Sequence, residues 1–340
     1  QTPKPAGLSA RGELIQTVSV ADLDGDGKLE IVTGSSDVIP AEPKPPSGPP
    51  PLPTAGSGAL VDYVLANSAG GETRIYAIKA DGTFMPGWPK ALTGLLPDVL
   101  PFVGPQHGTA VADFDRDGRD DVVASMTTGN VTILYGNGTV KALGSQGVVQ
   151  GGTTTESSKI LNLFENNIIG NLDGLNQLDI AHIGVTVGQV ANLLVVGQNA
   201  PFNYVAQAWD AQTGENYLSG YPTAHDDYGL LSAPGVANVD GTGNAELVAG
   251  SGLYLLQAYN SSGQSAPKFP KLTGGWQFAA PAIGDVDGDG KLNLVMFTRE
   301  GWRFAWNLDG ANSTANNSEW WTEGHDECHT NRYQTDCRPP

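Results

Sequence analysis

An acidic segment of the form D-x-D-x-D-G-x-x-D/E recurs along the chain, and each copy comes directly before an apolar stretch. The five copies read ADLDGDGKLEIVTGS, ADFDRDGRDDVVAS, GNLDGLNQLDIAHIG, ANVDGTGNAELVAGS and GDVDGDGKLNLVMFT, beginning at Ala21, Ala112, Gly170, Ala237 and Gly284. The stretch after each acidic segment is rich in β-branched residues, which favour β-strands. Short apolar stretches such as TVSV, GTAV and APGV precede the segments. The repeated unit is therefore a strand, an acidic turn and a second strand.

A second repeat extends this unit. Residues 86–94 (PGWPKALTG) are similar to residues 267–275 (PKFPKLTGG), and residues 219–223 (SGYPT) form a weaker copy. Each copy follows another strand and a polar turn, so the full unit has about four strands. Four-stranded units at this spacing are typical of propeller blades. We therefore expect an all-β fold, a β-propeller of about five to seven four-stranded blades over residues 14–326, with a motif-free blade possible near residues 55–105.

Three segments lie outside this pattern. Residues 1–13 form an N-terminal extension. Residues 40–53 contain eight prolines and cannot pair as a central strand, so they predict a stiff inserted loop that is either a spacer or a docking segment. Residues 327–340 form a C-terminal tail whose two cysteines, Cys328 and Cys337, predict a disulfide. A metal site formed by Cys328 with His325 and His329 is the alternative for this region.

The acidic segments have the chemistry of calcium loops. Carboxylates at alternate positions 1, 3 and 5 would repel one another without a cation, and Ca²⁺ takes about six to eight oxygen ligands. A tight loop offers side chains at positions 1, 3, 5 and 9 and a backbone carbonyl at position 7, and glycine at position 6 permits the turn. The first, second and fifth loops give full sets: Asp22, Asp24, Asp26, the carbonyl of Lys28 and Glu30; Asp113, Asp115, Asp117, the carbonyl of Arg119 and Asp121; and Asp285, Asp287, Asp289, the carbonyl of Lys291 and Asn293.

The third and fourth loops are less complete. The fourth offers Asn238, Asp240, Thr242, the carbonyl of Asn244 and Glu246; the third offers Asn171, Asp173 and Asp179. Leu175 occupies position 5 of the third loop, so we expect that site to be weak or empty. The sequence therefore predicts three to five bound Ca²⁺ ions. An EF-hand is excluded because position 12 lacks a ligating glutamate and a strand follows the loop.

The charge of the chain limits its partners. A formal net charge of −18 argues against nucleic acid, which requires a basic surface. The sequence has no apolar run long enough to span a membrane as a helix. Because the chain opens with Gln1 and carries a predicted disulfide, we expect a secreted or cell-surface protein whose signal segment has been removed.

These loops and strands resemble the FG-GAP/VCBS repeat family, the calcium-loop propellers also found in integrin α-chain heads. The resemblance extends from about residue 14 to residue 326. It implies structural calcium sites in the loops and leaves the ligand open, since family members include adhesion modules, lectins and a few polysaccharide lyases. The third loop and the proline-rich insertion depart from the family pattern, and five repeats are fewer than its usual number.

No nucleophile or phosphate-binding motif appears in a suitable context. We therefore favour a non-enzymatic adhesion or binding module for a protein or glycan. A polysaccharide lyase or hydrolase, and a structural subunit of a larger surface assembly, remain the alternatives. Trp302, Trp306, Trp320 and Trp321 could pack within the last blade or stack on sugar rings, and His225 is a candidate polar-site residue in a loop.

Overall fold

A computed structural model describes most of the repeated part of the chain. The described residues are 18–37, 72–93, 109–125, 131–143, 160–161, 167–175, 177–186, 204–211, 217–226, 229, 232–312 and 318–333. The N-terminal extension, the proline-rich insertion and Cys337 lie outside them. No helix in these ranges is long and apolar enough to cross a membrane.

The described residues form an all-β structure of five antiparallel sheets. The first sheet contains β1 (Ser19–Ala21), β2 (Glu30–Asp37), β3 (Glu72–Ile78) and β4 (Lys90–Thr93). The second contains β5 (Ala110–Ala112), β6 (Asp121–Ser125), β7 (Val131–Leu134) and β8 (Val140–Leu143). The third contains β9 (Ile160–Leu161), β10 (Ile168–Gly170), β11 (Asp179–Thr186), β12 (Tyr204–Asp210) and β13 (Thr223–His225).

The last two sheets complete the described fold. The fourth contains β14 (Gly235–Ala237), β15 (Glu246–Ala249), β16 (Leu255–Tyr259), β17 (Lys271–Leu272) and the distant β21 (Ser318–Trp320). The fifth contains β18 (Ala282–Gly284), β19 (Lys291–Phe297) and β20 (Arg303–Asn312). Residues 72–78 and 90–93 belong to the first sheet, so the described part of residues 55–105 forms no separate blade.

Both sequence repeats correspond to repeated structure. Each acidic loop joins two paired strands, as predicted, and we count the strand before the loop as the first of its sheet; in the third sheet this is β10, because β9 pairs only with β11 off the main path. The second repeat leads into the fourth strand of the first, third and fourth sheets, and its aromatic residue precedes a cis-proline each time, at Trp88, Tyr221 and Phe269. The backbone N–H of each of these aromatic residues donates to the carbonyl three residues before it. One turn conformation therefore occurs at three places.

Apolar cores lie between neighbouring sheets. One cluster joins the first and second sheets, a second joins the second, third and fourth, and a third joins the fourth and fifth. Successive residues of β6 show how this works: Val122 packs toward the first sheet and Val123 toward the third. Because side chains alternate along a strand, a continuous apolar run is buried on both faces.

The first strands of consecutive sheets lie next to one another, and a C-terminal segment contacts all five sheets. We call residues 318–333 the closing segment. Its backbone pairs with Val236 of β14 at Trp320 and accepts hydrogen bonds from Ile283 at Trp321, from Val20 at Thr330 and from Val111 at Asn331. The Glu319 carboxylate accepts the N–H of Asn171, which follows β10, at 2.7 Å.

Candidate metal centres in the acidic loops

The five acidic loops share one internal hydrogen bond. In each loop a side-chain oxygen at position 9 accepts the backbone N–H of position 2. The pairs, with distances of 2.6 to 3.0 Å, are Leu23 to Glu30, Phe114 to Asp121, Leu172 to Asp179, Val239 to Glu246 and Val286 to Asn293. The third loop keeps this bond although position 5 is leucine, so its fold does not depend on a complete set of acidic residues.

Backbone conformation also repeats at two positions. Position 4 has a positive φ in all five loops, at Gly25, Arg116, Gly174, Gly241 and Gly288. Position 6 has a positive φ in four loops, at Gly27, Gly118, Gly243 and Gly290, and Asn176 of the third loop is not described. Only glycine adopts these angles without a steric cost. Position 4 is glycine in four loops and Arg116 in the second, so the sequence pattern alone does not reveal that this position needs a positive φ.

The carboxylate at position 1 organises the turn in the first, second and fifth loops. Its two oxygens accept the N–H groups of positions 5 and 6, as when Asp285 accepts from Asp289 at 3.1 Å and from Gly290 at 2.9 Å. Asp22 and Asp113 make the same pairs. These bonds fold the turn back on itself and bring the carboxylates together.

Three groups of carboxylates converge closely enough to hold a cation. They are Asp22, Asp24 and Glu30; Asp113, Asp115 and Asp121; and Asp285, Asp287 and Asp289, and in each group the oxygens lie within 4.8 Å of one another. Hard oxygen donors at this spacing fit the preferences of Ca²⁺. The structure therefore brings together part of each predicted set, from positions 1, 3 and 9 in the first two loops and 1, 3 and 5 in the fifth.

Two predicted ligands instead bind basic side chains. Asp26 accepts the ammonium of Lys28 at 3.0 Å, and Asp117 forms an ion pair with Arg119. A third basic group approaches from the residue after β3, since Lys79 donates to Asp24 at 2.7 Å. The chain's own cations thus offset part of the loop charge.

Burial makes the position-9 carboxyl groups unusual. Burial, helped by the carboxylates of Asp115 and Asp113, raises the pKa of Asp121 to about 7. Burial raises the pKa of Asp179 and of Glu246 to about 8, with Asp173 and Asp240 respectively adding to the effect. A nearby cation would stabilise the charged form of each group. The donor chemistry of the loops therefore fits a metal ion.

The third loop has oxygens that lack partners. Oδ1 of Asn171 and Oδ1 of Asp179 are buried, with no hydrogen-bond partner among the described residues. A buried oxygen without a partner is costly, and a cation would satisfy it. The sequence predicts a weak or empty site here, and that expectation stays a prediction.

The fourth loop offers fewer acidic side chains than the first, second and fifth loops. Asn238 Oδ1 accepts the N–H of Gly241 and Asp240 Oδ1 accepts that of Thr242, both at 2.8 Å. Two carboxyl groups, on Asp240 and Glu246, remain as charged candidate ligands. The Asn244 side chain lies against Gly174, so the third and fourth loops touch.

Contacts between loops involve two acidic residues that the sequence pattern did not single out. Asp120 accepts the N–H of Asp22 at 2.6 Å and the guanidinium of Arg332 at 2.7 Å. Glu319 accepts the N–H of Asn171 and the hydroxyl of Tyr333, each at 2.7 Å. Both carboxylates connect a loop to the closing segment. Asp120 lies beside the repeated positions, whereas no local pattern marks Glu319.

The other candidate residues lie elsewhere. His225 is the last residue of β13 and is buried, with Nδ1 2.9 Å from the Tyr259 hydroxyl and Nε2 3.0 Å from the carbonyl of Gly250. His325 is buried against Trp320 and Trp321. The Cys328–Cys337 disulfide stays a prediction, because Cys337 is outside the described residues.

Comparisons with known proteins give weak likenesses. No protein-family model matches the chain, and no curated protein matches it. Among solved structures, a Bacillus licheniformis rhamnogalacturonan lyase is 15% identical with a TM-score of 0.49, covering 95% of this chain and 55% of that one. The exotype rhamnogalacturonan lyase YesX is 15% identical, with a TM-score of 0.47 and coverages of 93% and 51%.

Saccharomyces cerevisiae Sqt1 is 11% identical, with a TM-score of 0.47, covering 90% of this chain and 62% of that one. The chain spans about half the length of the two lyases. Each of these TM-scores lies below 0.5, so the likenesses do not decide the fold or the function of the chain.

Proposed function

We propose that the chain is a secreted or cell-surface β-propeller of five blades, held together by calcium, that binds a protein or a carbohydrate. The five sheets would be the blades. Three features support this arrangement: the cores between consecutive sheets, the adjacent first strands and the closing segment that contacts every sheet. The FG-GAP/VCBS resemblance of the loops agrees with it.

The observation that carries the calcium proposal is the convergence of carboxylates within 4.8 Å in loops of one shared fold. Bound ions would neutralise these charges and join the strands on either side of each loop. Since an ion that binds the folded chain alone stabilises it, calcium would act here as a structural element.

The buried histidines bear on whether a histidine could act as a catalytic acid or base. His182, His225 and His325 are buried in the described structure, so these imidazoles do not face a substrate from solvent. His329 is exposed. A rigid scaffold that presents surface turns suits recognition of a partner.

The alternatives have direct assays. A polysaccharide lyase would release unsaturated product, which absorbs in the ultraviolet; rhamnogalacturonan is a reasonable first substrate because two of the similar structures are rhamnogalacturonan lyases. A subunit of a larger surface assembly would copurify with defined partner chains, which mass spectrometry would identify.

Calcium titration of metal-stripped protein by calorimetry tests the proposal. We expect three or more ions per chain. Asp115→Asn and Asp287→Asn each keep an oxygen acceptor but remove a charge, and each should weaken one site by about tenfold or more. Asp81→Asn is the matched control, because Asp81 is an exposed turn residue that accepts from Thr83 at 2.9 Å outside the acidic loops. Failure of the wild-type protein to bind calcium would contradict the proposal.

A further inference from the structure

The exposed large aromatic side chains of the described structure gather at one end of two sheets. They are Tyr254, Phe278, Phe297 and Trp302, with exposed fractions of 48%, 42%, 49% and 61%. Tyr254 lies in the β15–β16 turn, Phe278 lies between β17 and β18, and Phe297 and Trp302 flank the β19–β20 turn. In both sheets the acidic loop is at the opposite end, since it precedes β15 or β19.

Backbone hydrogen bonds hold these turns together. Arg299 N–H donates to the carbonyl of Trp276 at 2.7 Å, and Trp276 N–H donates to the Glu300 carboxylate at 2.8 Å. The ring centroids of Trp276 and Phe278 are 4.5 Å apart. We call Tyr254, Trp276, Phe278, Phe297 and Trp302 the aromatic platform. Its rings are set on turns that are already ordered, which limits the entropy lost on binding.

The surroundings of the platform are basic in an otherwise acidic chain. Residues 250–256, 271–282 and 296–307 contain Lys271, Arg299 and Arg303 but one acidic residue, Glu300, although the whole chain carries −18. The Arg299 guanidinium lies 5.6 Å from the centroid of the Trp276 ring. None of the ion pairs between described residues involves Lys271, Arg299 or Arg303. An anionic ligand would therefore find local attraction here.

The combination of flat rings and guanidinium groups indicates the class of ligand. A sugar ring presents an apolar face of C–H groups, and a uronic acid adds a carboxylate that arginine can bind through two parallel hydrogen bonds. Protein hot spots favour well-packed, desolvated pockets, whereas four of the five platform rings stand exposed on turn ends. We propose that the aromatic platform binds an anionic polysaccharide, with sugar rings on Trp302 and the exposed rings beside it and carboxylates on Arg299 and Arg303. This inference rests on the proposed role as a binding module, and it assigns the surface that binds the ligand.

Calorimetric titration of the calcium-loaded protein with oligogalacturonides, and with neutral dextran oligomers in parallel, tests this assignment. We expect binding of the oligogalacturonides and at least tenfold weaker binding of dextran. Trp302→Ala and the double variant Arg299→Gln/Arg303→Gln should each reduce affinity by tenfold or more, whereas Trp302→Phe should retain most of it. Val140→Ala, an exposed apolar site in the second sheet, is the control that should not change affinity.

The variants separate this inference from the calcium proposal. Because the acidic loops are at the other end of these sheets, the platform variants should keep the wild-type calcium stoichiometry and melting temperature. Oligogalacturonide binding that survives in Trp302→Ala and in the double variant would overturn the assigned surface. Absence of binding to anionic oligosaccharides by folded, calcium-loaded protein, or capture of a defined protein partner on the platform instead, would overturn the ligand class.

Discussion

Single positions in the acidic loops have structural duties that differ from metal binding. Glycine at position 6 supplies a left-handed backbone, as at Gly290 with φ of 80°. The position-9 oxygen accepts the N–H of position 2 in every loop, and asparagine does this in the fifth loop as well as aspartate or glutamate does elsewhere. A motif position that recurs in this chain can therefore serve the fold, bind a metal ion or do both.

Gly290→Ala should destabilise the protein by about 1–2 kcal/mol, because an L-residue pays a steric cost at this φ although no atom lies within 4 Å of the added Cβ. Gly284→Ala is the matched control, since its Cβ also has open space and its φ is not positive. Urea unfolding would compare the two. Equal effects would show that backbone conformation does not limit position 6.

Glu246→Gln should preserve the fold in chelator, because the amide oxygen can still accept the N–H of Val239. Glu246→Leu should cost about 1–3 kcal/mol, because it leaves that buried N–H without its acceptor. The free energy of unfolding in chelator measures the structural role of Glu246, and the affinity for calcium measures its role as a ligand. A Gln variant as unstable as the Leu variant would show that the charge itself holds the apo loop.

Strands buried on both faces explain why so much of the fold is readable in the sequence. In β15, Leu247 packs toward the third sheet and Val248 toward the fifth, which is why residues 247–249 (LVA) are apolar throughout. Strands beside the acidic loops and the aromatic–proline turns were predicted for this reason. The pairing of β21 with β14 was not predicted, because strands about 80 residues apart produce no repeating hydrophobic pattern in the local sequence.

The candidate metal sites were only partly predictable from the sequence. Residue types and spacing indicate the carboxylate groups of the first, second and fifth loops. They do not indicate that Asp26 and Asp117 pair with Lys28 and Arg119, since either partner could have faced solvent. The exposed position of Trp302 depends on the β19–β20 turn, whereas sequence alone allowed packing or stacking for every tryptophan of that region.

The end of β13 carries a pH-sensitive contact. Burial lowers the pKa of His225 below its usual 6.5, even though the Gly250 carbonyl and Asp226 favour the charged form. The folded chain therefore keeps His225 neutral while the unfolded chain takes up a proton as pH falls below 6.5. Stability should be lost below that pH, by up to about 1.4 kcal/mol per pH unit.

Urea unfolding in saturating calcium at pH 7.5, 6.5 and 5.5 would measure this loss. The slope below pH 6.5 should be shallower in His225→Gln than in the wild-type protein. His329→Gln changes an exposed histidine and should leave the slope unchanged. Identical slopes in wild type and His225→Gln would contradict the assignment; His325, whose pKa burial also lowers, would account for part of any remaining slope.

At the scale of the whole molecule, the closing segment connects sheets that are distant in sequence. It contacts the first strands of the first, second, fourth and fifth sheets through its backbone and the third loop through Glu319. Trp320 anchors it in the core shared by the second, third and fourth sheets. The stability of the assembly should therefore depend on this segment more than on a surface turn.

Trp320→Ala should cost about 3–5 kcal/mol, because the side chain is 2% exposed and its loss leaves a cavity. Trp302→Ala removes the same side chain from a position 61% exposed and should change stability by less than about 0.5 kcal/mol. Urea unfolding compares them directly. Similar costs would show that the closing segment does not hold the sheets together.

The dependence of thermal unfolding on calcium tests the central claim most directly. The converging carboxylates would stabilise the folded chain when calcium binds them, so the melting temperature should rise with calcium concentration and fall in chelator. Magnesium at the same concentration should substitute poorly, since it is smaller and holds its water more tightly. A melting temperature that is the same in calcium and in chelator would contradict the account.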